Sequence, residues 1–330
     1  MKRVVCAALA ASALTLPLAA QDTAPVSSPA EIVAGAEAAE WIAIQAEDLL
    51  VMTLAPDREG KARRVVIQLM PEPFSQGWVA NIRTLARAGW YDGISVNRVQ
   101  DNYVAQWGDP NYDNPEAEGE AKPLPGGLRV MGENDYVDVV RAAAPDEDEI
   151  ILWHSRHEIF DNYTDAATFD KGWPIGMEIA EESKVLKSWP VHCYGMVGVG
   201  RGMSPDTGSG AELYTVIGHA PRHLDRNIAL VGRVIEGMEH LSSLPRGSGD
   251  LGFYTAEEAD KRTPILSIRV ASDLPAAERP RFEFLSTEGD TFARYAEARA
   301  NRRDPFFIVP AGGADICNIP VPIRLALTAD

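Results

Sequence analysis

The stretch that most constrains the fold of this chain spans residues 91–110 and reads YDGISVNRVQDNYVAQWGDP. It sets one arginine, Arg98, in an apolar and β-prone run, with Tyr103 and Gln106 a few residues further along. Because side chains alternate between the two faces of a strand, Arg98 need not share the core-facing row with Val96. A cation held beside an aromatic ring and an amide is suited to binding a polar peptide backbone through hydrogen bonds.

A second stretch, residues 194–234, reads YGMVGVGRGMSPDTGSGAELYTVIGHAPRHLDRNIALVGRV. An apolar, glycine-rich strand leads into a polar loop, then into a second β-prone run that contains Tyr214. A turn with Leu224 and Asp225 follows, and another β-prone run ends the stretch.

Together the two stretches resemble the two signatures of the cyclophilin-type peptidyl-prolyl isomerases. In the first signature of that family, a Phe-His-Arg run is followed by phenylalanine and glutamine, then by Gly-Gly-Asp. Arg98, Tyr103 and Gln106 fall in this register, as do Gly108 and Asp109. The family's second signature has a Ser-Gln-Phe-Phe strand and a Leu-Asp-Gly turn, which residues 211–214 and 224–226 match in order.

The resemblance implies a mainly β fold, a closed eight-stranded antiparallel barrel capped by two helices. The chain order agrees with it, because β-prone runs over residues 40–54 and 64–70 predict a hairpin ahead of the arginine strand. Apolar residues at helical spacing predict the first helix over residues 74–88, with Gly89 as its terminator. We expect the second helix near residues 238–244.

The rest of the chain adds to this core. We expect a cyclophilin-like domain over residues 40–272, interrupted by a long insertion at about 119–190, and a C-terminal extension over 273–330 that packs on the barrel. Loops of that length are usually functional or partly disordered. Residues 21–39 are rich in Ala, Ser, Pro and Glu, which is typical of a linker.

Residues 1–20 have the pattern of a signal peptide. Lys2 and Arg3 precede an apolar run, residues 4–18, that is too short to cross a bilayer comfortably, and Ala19-Ala20 is a plausible cleavage point. No later apolar run is long enough to span. We therefore expect a soluble protein, exported across the inner membrane to the periplasm, with no membrane insertion after signal removal.

The net charge of −17 includes the two cations of the signal peptide, so the mature chain is more acidic still. Binding to nucleic acid or to anionic lipid needs a basic face, and none is evident. Outside the signal peptide the cysteines are Cys193 and Cys317. In an oxidising compartment they form either a disulfide or two buried free thiols, and the sequence leaves both open.

Two patterns are similar to metal sites. Residues 109–120 match the spacing of a calcium loop, except that Asn114 replaces its glycine. Prolines interrupt this loop, and flanking helices are not evident. His154, His157 and Glu158 offer ligands, but their run is more typical of a solvated surface. We expect no metal and no cofactor.

The resemblance also implies the chemistry. Arg98 matches the family arginine that donates to the prolyl nitrogen while the peptide bond twists, and is the predicted catalytic residue. Seven positions match residues that bind the peptide or line the proline pocket: Tyr103, Val104, Gln106, Gly200, Arg201, Tyr214 and Leu224. Rotation about the bond breaks nothing, so the reaction needs neither a nucleophile nor ATP.

Three further predicted substrate-binding positions depart from the family pattern. Glu212 stands where the family has glutamine, which puts an anion near Arg98 that would pair with it or bias the peptides accepted. His223 stands for a tryptophan and Ile228 for a pocket histidine. We therefore expect a prolyl isomerase that acts on proline-containing segments of unfolded or folding exported proteins. The alternative is a peptide-binding module or chaperone of the cell envelope with little catalysis.

Overall fold

The computed structural model describes residues 27–112, 114–141, 159, 161–180 and 185–326. The predicted signal peptide lies outside these residues, as do the start of the predicted linker and part of the predicted insertion. Among the described residues, no helix has the length and apolar content that a membrane crossing requires.

The described chain forms fifteen strands: β1 (Trp41–Ala43), β2 (Leu49–Leu54), β3 (Arg63–Leu69), β4 (Ser95–Val99), β5 (Val104–Gly108), β6 (Asp138–Arg141), β7 (Ala166–Asp170), β8 (Trp173–Ala180), β9 (Val185–Pro190), β10 (Met196–Val199), β11 (Leu213–Val216), β12 (Leu230–Glu236), β13 (Thr263–Val270), β14 (Phe282–Leu285) and β15 (Ile323–Leu325). Its α-helices are α1 (Pro29–Ala34), α2 (Gln76–Arg87), α3 (Glu239–Ser242) and α4 (Asp290–Ala300).

Eight of these strands close into an antiparallel barrel in the order β10, β11, β5, β4, β13, β2, β3 and β12, which confirms the predicted fold class. The predicted hairpin is β2 and β3, which pair from Leu49 opposite Gln68 to Leu54 opposite Arg63. The start of its first predicted run, Trp41–Ala43, lies elsewhere: β1 pairs with β14 in the extension.

Helix α2 covers one part of the barrel. Its buried face includes Val79, Ile82 and Leu85, none of them measurably exposed, and Gly89 follows the helix with a φ of +63°. Residues at this spacing share one face of a helix, which gives α2 a single apolar stripe. The second predicted helix is present as the short α3.

Both faces of the β2–β3 hairpin are buried. Leu50 and Met52 point into the main core, while Leu49 and Val66 belong to a second apolar cluster with Phe282 and Phe284 of the extension. Because successive side chains of a strand face opposite sides, the extension must cover the outer face of the barrel here. Full burial of each such side chain contributes about 1.5–3 kcal/mol.

The predicted insertion carries its own antiparallel sheet, with the strand order β6, β9, β8, β7. This sheet meets the extension through Phe169 of β7 and Phe292 of α4, whose ring centroids lie 5.0 Å apart. The span predicted as a linker includes the helix α1 (Pro29–Ala34). Ser28 and Glu31 form a reciprocal capping box there, and Ile32 and Val33 pack against the main core.

Candidate functional site

Arg98 lies on β4 opposite Gln106 of β5, and the register shifts between Val96 and Arg98. Such a shift changes the direction of one side chain while the two strands remain paired on either side of it. Val96 is fully buried in the core, whereas the Arg98 side chain leaves the barrel wall toward a groove.

The Arg98 guanidinium is held on several sides. Its Nε donates to the carbonyl oxygen of Leu251 at 2.7 Å, Nη1 donates to Oε1 of Gln106 at 3.1 Å, and Nη2 donates to Oε1 of Gln100. All three acceptors are neutral, so the positive charge is fixed in place but not cancelled. Burial lowers the pKa of Arg98 from its ordinary value, and a guanidinium remains protonated at neutral pH regardless.

Two aromatic rings flank this cation. The Arg98 Cζ lies 5.6 Å from the ring centroid of Tyr103 and 5.5 Å from that of Phe253. Contacts of this kind contribute about 0.5–2 kcal/mol each and hold the guanidinium plane in position. Arg98 is therefore fixed by its packing as well as by its hydrogen bonds.

The groove in front of Arg98 is a cavity of about 570 Å³. It brings together nine of the predicted site residues: Arg98, Tyr103, Val104, Gln106, Gly200, Arg201, Tyr214, Leu224 and Ile228. Residues from both halves of the chain thus meet at one place, although the sequence separates them by the insertion.

Five lining residues were not predicted: Asn111, Asn114, Pro115, Leu251 and Phe253. The run 247–252 contains three glycines, and such a run indicates a turn or a place where the backbone approaches another part of the chain closely. The structure identifies the neighbour: a Cβ on Gly252 would lie 2.9 Å from the Cα of Gln100. The sequence shows the glycines, but only the structure shows that Gly252 lies against Gln100.

The apolar part of the groove is formed by Val104 and Tyr214, which cluster with the buried Val216 behind them, and by Leu224 and Ile228, which pack against this cluster. A pocket with an apolar floor beside a fixed cation suits a small ring joined to a polar backbone.

The hydroxyl of Tyr214 reaches away from the groove into a buried polar chain. It lies 2.9 Å from Nε2 of His192, whose Nδ1 lies 2.8 Å from Oδ1 of Asp225. The backbone N–H of His192 donates to the same carboxylate oxygen at 2.9 Å. Since an ionised Asp225 accepts, Nδ1 carries the proton, and Nε2 accepts from the tyrosine O–H.

Burial governs the ionisation of this chain. It lowers the pKa of His192, with Asp225 opposing the shift, and it raises the pKa of Tyr214 well above its ordinary value. Burial alone would raise the pKa of Asp225, but its contacts with His192 and Arg222 outweigh it and lower the pKa. The stable form at neutral pH is a neutral histidine beside an aspartate ion.

Arg222 completes the cluster and links it to the extension. Its Nε donates to Oδ2 of Asp225 at 2.7 Å, its Nη2 lies 2.7 Å from Oδ2 of Asp161, and its Nη1 lies 3.8 Å from Oδ2 of Asp315. Beside this cluster the structure joins Cys193 and Cys317 in a disulfide, with their Cα atoms 5.1 Å apart.

Glu212 and His223 do not line the cavity. Glu212 is 4% exposed, and its Oε1 accepts the backbone N–H of Asp109 at 2.8 Å. A Cβ on Gly108 would lie 1.9 Å from that oxygen, so the carboxylate occupies the space that a side chain at 108 would need. His223 is exposed and stacks on the ring of Tyr103, with centroids 6.1 Å apart.

Within the described residues, no group of three or more His, Cys, Asp or Glu side chains could hold a metal ion. Asp109, which opens the calcium-like spacing, accepts the backbone N–H groups of Asn111 and Lys122. The other candidate ligands, His154, His157 and Glu158, lie outside the described residues.

Comparisons with known proteins identify the family of the chain and support its fold. The family model described as "Cyclophilin type peptidyl-prolyl cis-trans isomerase/CLD" matches residues 58–270, well over half of the chain. The crystal structure of cyclophilin AquaCyp293 from Hirschia baltica is similar, with 23% identity and a TM-score of 0.62 over 88% of this chain and 95% of that one.

A more distant match is a Cryptosporidium parvum cyclophilin-type isomerase solved in the presence of the dipeptide Ala-Pro. It shows 13% identity and a TM-score of 0.36, covering 67% of this chain and 98% of that one. No curated protein matches the sequence.

Proposed function

The chain belongs to the cyclophilin-type peptidyl-prolyl cis-trans isomerases, and we propose that its mature form catalyses rotation about Xaa-Pro bonds in exported proteins and so assists their folding. The observation that carries the proposal is the position of Arg98, fixed by three neutral acceptors and two rings beside an apolar pocket.

The physical problem is the delocalised lone pair of the peptide nitrogen, which creates a barrier of about 18–20 kcal/mol. As the bond twists, that delocalisation is lost, and the nitrogen becomes pyramidal and basic. A donor placed at the nitrogen interacts more strongly with the twisted state than with either planar state, and only such differential binding lowers a barrier. A guanidinium has five N–H donors, of which Arg98 uses three within the protein, so donors remain for the nitrogen.

Gln106 supplies the second polar contact. Its Oε1 accepts from Arg98, so its amide N–H groups are the ends left to donate. They suit a carbonyl oxygen of the bound peptide, while Val104, Tyr214 and Leu224 enclose the proline ring. No proton is transferred and no bond is broken, so positioned donors and an apolar wall suffice for the chemistry.

Export to the periplasm is supported by two features. The first is the signal-peptide pattern of residues 1–20. The second is the bond between Cys193 and Cys317, since disulfides form and persist in oxidising compartments. Proline-containing segments of other exported chains are the substrates that such a location would supply.

The test is cis/trans exchange of an Ala-Pro peptide, followed by NMR with the mature chain and with Arg98→Ala. We expect accelerated exchange that is lost in the variant. Arg64→Ala is the control, because Arg64 is half-exposed and pairs with Glu236 on the barrel wall, outside the groove lining. It removes the same charge and should leave the rate unchanged.

The alternative is a peptide-binding module with little catalysis. It is favoured by the burial of Glu212 behind the groove and by Ile228 in place of a pocket histidine. Peptide binding without accelerated exchange would establish this alternative. Equal acceleration by the native chain and Arg98→Ala would reject the role of the arginine.

A further inference from the structure

Among the described residues, two charged side chains line the groove, and both are arginines: Arg98 and Arg201. Arg201 forms no ion pair with any carboxylate of the described residues, and neither does Arg98. Two groove cations without an ion-paired carboxylate among the described residues are unusual in a protein whose net charge is −17.

Arg201 is fixed by backbone carbonyls alone. Its Nε and Nη2 donate to the carbonyl oxygen of Asn227 at 3.1 and 3.0 Å, and its Nη1 donates to that of Gly202 at 2.8 Å. Three of the five donors are used, and two remain on the η nitrogens. Because the acceptors are neutral, the full positive charge persists, and the side chain loses little further freedom when a ligand binds.

Two nearby carboxylates accept hydrogen bonds from backbone N–H groups and form no ion pair with Arg201. Asp206 accepts the backbone N–H groups of Gly202 and Gly208, and Glu212 faces the backbone of Asp109. Arg201 lines the groove beside Gly200, whose missing side chain leaves the amide of Gln106 close by: a Cβ on Gly200 would lie 3.4 Å from Nε2 of Gln106.

We propose that Arg201 determines substrate specificity, and that the groove selects segments carrying an Asp or Glu side chain directly before or directly after the proline. This inference rests on the proposed function and names its substrate class. A guanidinium with two free donors matches a carboxylate in geometry and charge.

The overall acidity of the protein does not oppose this selection. At physiological ionic strength the Debye length is about 8 Å, so charges on the distant surface are largely screened from a bound peptide. The contact between Arg201 and a carboxylate is shorter than that length and survives. Higher salt shortens the Debye length and screens an exposed ion pair as well, so the selection should weaken as the salt concentration rises.

The experiment compares matched peptides Ala-Xaa-Pro-Ala and Ala-Ala-Pro-Xaa, in which Xaa is Glu, Gln or Lys. The ratio of kcat/KM for Glu over Gln is measured by NMR exchange with the mature chain. We expect a ratio of about three to five in one of the two series, the range of an exposed ion pair. It should fall toward one as NaCl rises from about 20 mM to about 500 mM.

Two variants test the residue itself. Arg201→Gln should bring the ratio to one, whereas Arg201→Lys, which keeps the charge, should retain part of it. The matched control is Arg299→Gln, because Arg299 likewise donates through Nε and Nη2 to one backbone carbonyl, that of Asn318, on the distant extension. It should leave the ratio unchanged.

A Glu/Gln ratio of one in the native chain, or the same ratio in the native chain and Arg201→Gln, would overturn the inference. If no peptide exchanges faster, the proposed catalysis fails, and peptide affinities from NMR titration replace the rates. Tighter binding of the Glu peptide that is lost in Arg201→Gln then supports the specificity on its own. Equal affinities for the Glu and Gln peptides reject it.

Discussion

Gly198 and Tyr214 lie opposite each other on the paired strands β10 and β11, and the tyrosine ring occupies the space over the glycine. A Cβ at position 198 would lie 2.3 Å from the Tyr214 hydroxyl and 2.4 Å from its Cζ. The bare backbone thus lets the hydroxyl reach His192 behind the groove, so the wall of the proposed proline pocket depends on a residue outside it.

Gly198→Ala should therefore displace Tyr214. Overpacking of this kind costs about 1–3 kcal/mol of unfolding free energy, and the shifted ring should also weaken peptide binding. Urea denaturation and NMR titration with an Ala-Pro peptide measure the two effects. Gly126→Ala is the control, since a Cβ there meets nothing within 4 Å. Equal stability of the two variants would contradict the packing argument.

Arg98→Lys should lose nearly all catalysis although it keeps the charge. A lysine ammonium cannot reproduce the planar fork that reaches Leu251, Gln106 and Gln100 together. We expect exchange of the Ala-Pro peptide to fall at least about tenfold, a loss of about 1.4 kcal/mol of transition-state stabilisation. Retention of most of the native rate would show that charge alone suffices.

Stability should fall as the pH drops from 7 to 5. Burial lowers the pKa of His192, so the folded chain holds this residue neutral while the unfolded chain takes up a proton below about pH 6.5. The unfolded state then binds more protons, and the unfolding free energy decreases by at most about 1.4 kcal/mol per pH unit. Asp225, whose folded pKa is also lowered, acts in the same direction but only below about pH 4.

His192→Asn separates this effect from the general acid sensitivity of the protein. The variant should be less stable at pH 7 yet show a flatter dependence between pH 7 and 5 in urea denaturation. His240→Asn on α3 lies outside the cluster and should keep the native slope. An unchanged slope in His192→Asn would assign the proton uptake to another group.

The disulfide should contribute about 2–5 kcal/mol, because it closes a loop of 124 residues and restricts the unfolded chain. The double variant Cys193→Ser, Cys317→Ser should lose that amount in urea denaturation. A reductant should destabilise the native chain and leave the double variant unchanged. Two titratable thiols in an unreduced, unfolded chain that lacks residues 1–20 would rule out the bond.

The sequence was sufficient to predict the barrel, through the resemblance to the family, and the residues at the polar centre of the groove. Arg98, Tyr103 and Gln106 lie within one hairpin, so the alternation of strands fixes their relationship once the register is known. Helix α2 was equally predictable from the sequence, because its apolar spacing and the following glycine are local signals.

The remaining site features join residues far apart in the chain, and no local pattern encodes such a distance. Leu251 and Phe253 meet Arg98 across more than 150 positions, and Asp225 holds His192 across 33. The sequence by itself determined which side chains were available and the family pattern they follow. Only the closing of the barrel, which brings strands from both halves together to bury their apolar faces, decided that Glu212 lies behind the groove and that Arg201 lines it.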